Sequence, residues 1–340
     1  MLYAVFFTVI KRSNYYTQVR VYLFANPALQ IIAREHMKYF KPLLPFLIGC
    51  AVLLASNNFF EFTLINGALQ LVLFILVVNI PAKLTGRMSY VDIGWPLGLT
   101  LIGILVLVYG QGADAKKLLA GVLFLFMGLR MGLMALLYLT KGAFKRELPR
   151  YQYQKLRWEK EEKSNVTLAM QVEILVQAFA NMSFLAMPAL LIAWNPNASF
   201  QWLEIVGIVL WVLSYCMESL ADKQKNSFIA ANVKAGNKRA LCNVGLWRYS
   251  RHPNYFFEWM VWNSLIVIAL PSLMALWNSE SLVIMVALCG VLLMASRMMY
   301  TTLVHYTGAK PAEYYSAQKR PDYKEYQRTT SMFFPKKPSL

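Results

Sequence analysis

A chain of 340 residues that is 58% hydrophobic and only 15% charged, with a mean hydropathy of +0.42, does not have the composition of a soluble domain, in which about a quarter of residues are charged. Its 34 Lys and Arg against 17 Asp and Glu give a net charge of +17. Such a surplus points either to nucleic acid or to the cytoplasmic loops of a membrane protein. Four cysteines far apart in sequence and three scattered histidines offer no metal-ligand spacing, and neither a Walker sequence nor GxGxxG is present.

In chain order, residues 1–42 begin with a short apolar stretch that lacks a basic leader and a small-residue cleavage site, and they read as an interfacial segment. A membrane span takes roughly 20 mostly apolar residues. Eight such stretches follow, at about 43–61, 64–81, 90–109, 118–139, 168–194, 202–219, 255–277 and 282–303. The predicted fold is therefore an all-α integral membrane protein, with a single transmembrane domain over 43–340. If eight spans alternate, the basic residues of the N-terminal segment, of 82–89, 140–167 and 220–254, and of the tail all fall on one side. The other side receives only Lys116 and Lys117. Because cytoplasmic loops retain Lys and Arg, both termini are expected in the cytoplasm. The net charge is then a matter of topology, and nucleic acid is not an expected partner; membrane lipids are. Bacterial inner membrane and endoplasmic reticulum both suit this layout.

Within the spans lie Asp92, Arg130, Glu173, Glu218, Glu258 and Arg297, with Asp222 just past a helix end. Buried charges are costly unless paired or wet, so seven of them imply a polar, water-accessible cavity among the helices, with Asp92 and Arg130 as one expected pair. Gly94 with Gly98, and Gly128 with Gly132, are small-residue pairs that let helices approach closely. The charged and aromatic loop 142–164 reads as a surface helix on the headgroups. A lid bringing Arg150, Tyr151, Tyr153 and Arg157 over a cofactor is the alternative.

The least generic stretch is 241–258, LCNVGLWRYSRHPNYFFE. Its guanidiniums (Arg248, Arg251), imidazole (His252), amide (Asn254), phenols (Tyr249, Tyr255) and Trp247 suit a nucleotide, because guanidinium forks bind phosphate and aromatic planes stack on bases. Pro253 begins a helix whose positive end would face the same anion. A basic aromatic belt at the membrane boundary has the same composition.

RYSRHPNYF followed by a membrane helix, and then the tail RPDYKEYQRTTSMFFP (320–335), resemble the C-terminal half of the steroid 5-alpha-reductase family, most nearly its bacterial-type branch, DUF1295. The VD-x-x-W pattern (Val91, Asp92, Trp95), the G-L-R helix (Gly128, Leu129, Arg130) and D-x-Q-K-x-x-F (Asp222, Gln224, Lys225, Phe228) extend the resemblance over about 90–335. Isoprenylcysteine carboxyl methyltransferases share the RHP-x-Y step. The resemblance implies NADPH-dependent reduction of a carbon–carbon double bond conjugated to a carbonyl, in a sterol-like or other lipid-soluble substrate. It places Asp222, Asn254 and Glu258 at the nicotinamide–ribose portion, Arg297 and Arg130 as cofactor arginines, and Tyr323, Tyr326, Phe333 and Phe334 as aromatic cover. The family's carbonyl-polarising tyrosine is missing, since Met127 stands where it would fall. Asp92 and Tyr90 are the expected catalytic substitutes, and Tyr138 is a further candidate. An S-adenosylmethionine-dependent lipid methyltransferase and a non-enzymatic membrane protein are the rival readings. Glu313, standing alone where the methyltransferases carry paired glutamates, weighs against the first of them.

Overall fold

The computed structural model describes residues 35–237 and 239–338; the interfacial reading of the first residues falls largely outside them. Among the described residues, eight helices are long and apolar enough to cross a membrane: α1 (Glu35–Ala55), α2 (Phe60–Thr85), α3 (Val91–Tyr109), α4 (Asp114–Thr140), α6 (Val166–Trp194), α7 (Trp202–Lys234), α8 (Pro253–Ala275) and α9, which begins at Leu282. A shorter helix, α5 (Pro149–Lys160), lies between α4 and α6. Beyond Thr301, α9 passes through a π-turn (Thr302–Tyr306) into α10 (Ala309–Lys319) and α11 (Tyr323–Thr329). The chain is thus an all-helical integral membrane protein. The largest departure from the expected spans is α7, which runs to Lys234 instead of ending near 219. Leaving an apolar environment does not end a helix, and between residue 219 and Gly236 there is no Gly or Pro to stop this one.

Helices in lipid gain little from burying apolar surface against each other, so close packing of small residues matters more. A Cβ on Gly128 of α4 would lie 2.5 Å from the backbone nitrogen of Thr100 and 2.6 Å from the carbonyl oxygen of Pro96, both in α3. Gly98 of α3 likewise makes room for Asn181 and Gln70. Those two amides bridge α3 to its neighbours: Gln70 Nε2 donates to Gly98 O at 2.9 Å and Asn181 Nδ2 to Trp95 O at 3.2 Å. Gly128→Val is expected to force α3 and α4 apart and to cost about 1–3 kcal/mol, read as a lower unfolding temperature in detergent. An unchanged melting curve would contradict this packing.

Lys116 departs from expectation. It is not a loop charge but a fully buried one, with Nζ 2.5 Å from Glu204, which is itself 0% exposed. Asn195 Nδ2 and the backbone N–H of Gln201 also donate to Glu204. The pair joins α4 to the start of α7, and the other basic residue expected at that end, Lys117, pairs with Asp114 at 2.7 Å.

Candidate functional site

Six of the seven ionisable residues read as intramembrane surround one cavity of about 650 Å³. Asp92 reaches it from α3, Arg130 from α4, Glu173 from α6, Glu218 and Asp222 from α7, and Glu258 from α8. All of them lie in the half of the bundle that adjoins the Lys- and Arg-rich loops. Trp95, Met131, Met134 and Leu303 supply an apolar wall. Arg297 does not line the cavity; it sits on an exposed face of α9.

Asp92 and Arg130 are not a pair. Arg130 Nη1 donates to Glu218 Oε1 at 2.8 Å, and its guanidinium lies 4.8 Å from the centre of the Tyr215 ring. Asp92 instead accepts from the Tyr151 hydroxyl at 2.5 Å, with Arg150 Nη2 at 3.7 Å from its other oxygen. Both partners come from α5. That helix is not spread on the headgroups, because Tyr151, Gln154 and Trp158 are buried and the first two line the cavity. Its N-terminus is pinned by Glu147, which accepts from the backbone N–H of Met88 (2.8 Å), from both the N–H (3.1 Å) and hydroxyl (2.6 Å) of Ser89, and lies 3.3 Å from Lys155. Glu147 thereby caps the approach to α3 and holds Tyr151 over Asp92. Burial, and after it the charge of Asp92, pushes the Tyr151 phenol well above its usual pKa, so it stays a donor. The same carboxylate holds the Arg150 guanidinium more firmly in its charged form.

Tyr90 does not reach the cavity. It packs edge-on against Phe144 and accepts from Arg87 at 3.3 Å. Tyr138 lines the cavity, and Met127 is buried in the core. The tyrosine that contacts Asp92 is Tyr151, 59 residues away in sequence, a pairing that local spacing does not reveal.

Asn254 does not line the cavity, but its Nδ2 donates to the cavity residue Asp222 at 3.1 Å, and its buried Oδ1 has no hydrogen-bond partner among the described residues. Among the described residues Glu258 has no ion pair. A smaller hollow of about 280 Å³ adjoins, sharing Leu148, Arg150, Tyr255 and Thr307 with the large one and adding Pro311, Ala312 and Tyr315. The site is therefore two-lobed, with Arg150 and Tyr255 at the neck.

The RYSRHP segment does something other than expected. Arg251, 8% exposed, donates to both oxygens of Glu313 (2.7 and 3.1 Å), to Gln327 O at 2.9 Å and to Thr330 O. His252 Nε2 lies 3.2 Å from the same carboxylate, and Gln327 Nε2 donates to it at 2.8 Å. The anion held at the start of α8 is thus the chain's own Glu313. Burial pushes the His252 imidazole below its ordinary range against the opposing pull of Glu313, which keeps it neutral. Ser250 and the Tyr326 hydroxyl complete the clamp through Phe333 O and Trp247 O. Arg248 is exposed and reaches only Asn243 O at 3.4 Å, Tyr249 is exposed, and Lys225 lies 4.3 Å over the Trp247 ring. None of these lines the cavity. Phe333 and Phe334 pack on Phe256, Trp259 and Tyr300, so they dock the tail on α8 and α9 and do not cover the cavity. The expected shared hollow of Arg248, Arg251, Asn254 and Arg297 does not form.

A family model described as a protein of unknown function, DUF1295, matches residues 79–330, a span that contains every cavity-lining residue. The chain belongs to the DUF1295 family. It is also 24% identical over 269 residues to a Schizosaccharomyces pombe protein described as uncharacterized, covering 74% of each chain. No solved structure matches. The DUF1295 region includes both the cavity and the Arg251–Glu313 clamp, whereas α1 and most of α2 lie before it.

Proposed function

We propose that this DUF1295 protein is a membrane-embedded, NADPH-dependent reductase that acts on a carbon–carbon double bond conjugated to a carbonyl in a lipid-soluble substrate. The observation that carries the reading is the two-lobed cavity, acidic on one wall, apolar on another, with a guanidinium at its neck. Its residues suit the dinucleotide: the carboxyl groups of Asp222, held by Asn254, and of Glu258 match carboxamide and ribose donors, and Arg150 matches phosphate. Arg248, Arg251 and Arg297 have no part in it. When bound, the dinucleotide supplies a hydride.

Glu218, Asp222 and Glu258 line the α7–α8 wall with carboxyl oxygens that accept hydrogen bonds and face positive charge developing on a bound ring. Trp95, Met131, Met134 and Leu303 hold hydrocarbon and exclude water. Asp92 holds the Tyr151 hydroxyl at the cavity wall; with substrate bound, the hydroxyl turns its one proton from Asp92 to the carbonyl oxygen, polarises it and gives it that proton as hydride adds to the far carbon of the double bond.

The test is titration of the full-length protein in detergent with NADPH, followed by nicotinamide fluorescence, together with mass spectrometry of copurifying small molecules. Saturable binding is expected, weakened at least about tenfold in Glu258→Leu, where loss of a hydrogen bond from the ligand to a charged acceptor costs about 1.5–3 kcal/mol. Recovery of adenosylmethionine, with no NADPH binding, would replace this reading by that of a methyltransferase.

A further inference from the structure

Glu173 is the cavity residue for which the proposed reaction has no use. It is 8% exposed, lines the cavity from α6, and has no hydrogen-bond or ion-pair partner among the described residues. Two cations of the adjoining segment are engaged elsewhere: Arg157 donates to Gln154 at 3.2 Å and stacks 4.2 Å from the Tyr306 ring, and Lys163 pairs with Glu161 at 2.8 Å. Gln177, one helical turn further along α6, also faces the cavity with no hydrogen bond among the described residues. The first segment of α6 packs against α1, α2 and α3, so this polar pair occupies a different wall from the carboxylates of α7 and α8. Every other charged side chain on the cavity except Glu258 has a partner from the chain itself.

A carboxylate buried this far inside a bundle costs several kcal/mol unless something donates to it. An ionised carboxylate only accepts hydrogen bonds, whereas a glutamine amide both donates and accepts. Together they match a group that carries its own proton. We propose that Glu173 and Gln177 form a second polar subsite that binds a hydrogen-bond-donating head, a hydroxyl or an ammonium, on a lipid seated in the cavity. The lipid is then polar at two ends, with its reducible end at Asp92 and Tyr151. That it is the substrate rests on the reductase reading; that it binds does not.

The experiment uses the full chain in detergent and three diazirine-bearing sixteen-carbon lipids: a primary alcohol, the corresponding amine, and the methyl ether of the alcohol, which cannot donate. Labelling of peptides from Val166–Met182 is quantified with and without NADPH. The alcohol and the amine are expected to label at least about tenfold more than the ether, the contrast that one lost hydrogen bond to a charged acceptor produces. Glu173→Leu should remove the contrast. Glu173→Gln, close to it in shape, should keep labelling by the alcohol and lose that by the amine, and Gln177→Leu should weaken both. Equal labelling by ether and alcohol, or an undiminished contrast in a folded Glu173→Leu variant, overturns the subsite. If Glu173→Leu does not fold, Glu173→Gln decides, and unchanged amine labelling there overturns it. A contrast that persists where the protein binds no NADPH supports the subsite and removes the reductase reading; NADPH binding without any contrast does the reverse.

Discussion

Arg251→Ala is expected to release the C-terminal tail and to leave NADPH binding within a few-fold of the wild-type protein. The guanidinium ties the loop before α8 to Glu313, Gln327 and Thr330 at once. Its removal leaves a buried carboxylate with only His252 and Gln327, and breaking one side of a buried pair costs about 3–5 kcal/mol. A lower unfolding temperature and rapid proteolysis around 320–335 should follow. Glu313→Gln should produce much of the same loss. The double variant should be less destabilised than the sum of the two, because two groups of one network do not contribute independently. NADPH binding abolished in an Arg251→Ala protein with an intact tail would return this arginine to the cofactor.

The misreading of that segment is instructive about what a sequence holds. Two arginines, a histidine and three aromatic rings within ten residues identify a place where an anion is bound, and an anion is bound there. Nothing in the local stretch tells an external phosphate from a carboxylate that lies 62 residues further on. The cavity was legible for the opposite reason. A charge inside an apolar span is anomalous wherever the chain folds, so Asp92, Arg130, Glu173, Glu218, Asp222 and Glu258 announced a polar interior without any knowledge of contacts. Their pairing was not legible. Arg130 takes Glu218 because α4 and α7 face each other there, and Asp92 takes Tyr151 because Glu147 pins α5 to the loop before α3. Charge and aromatic content alone leave α5 equally suited to a headgroup surface or a cavity wall. The difference lies in Tyr151 and Trp158, which bury one face of the helix.

Asp92→Asn and Tyr151→Phe are each expected to lower kcat by about 10²–10⁴, the usual contribution of a positioned proton donor, while NADPH binding changes little. The assay is NADPH oxidation in lipid nanodiscs with a conjugated sterol ketone as the probe substrate. Tyr151→Phe removes the hydroxyl outright. Asp92→Asn leaves an amide oxygen to accept from it but removes the charge that faces Arg150, so the hydroxyl is held less firmly and a guanidinium at the neck loses its counter-charge. If the two residues act as one unit, the double variant should be no slower than the worse single variant, since removing either already breaks the donor. Additive losses would instead mean two separate roles. The pH profile carries a second check. The phenol is raised above its ordinary pKa, so it keeps its proton on the acid side of that higher value, and wild-type turnover should not fall as pH rises through the usual tyrosine range. Tyr151→Phe turnover at wild-type level would remove this residue from the reaction and leave the carbonyl to another cavity tyrosine, Tyr138, Tyr255 or Tyr306.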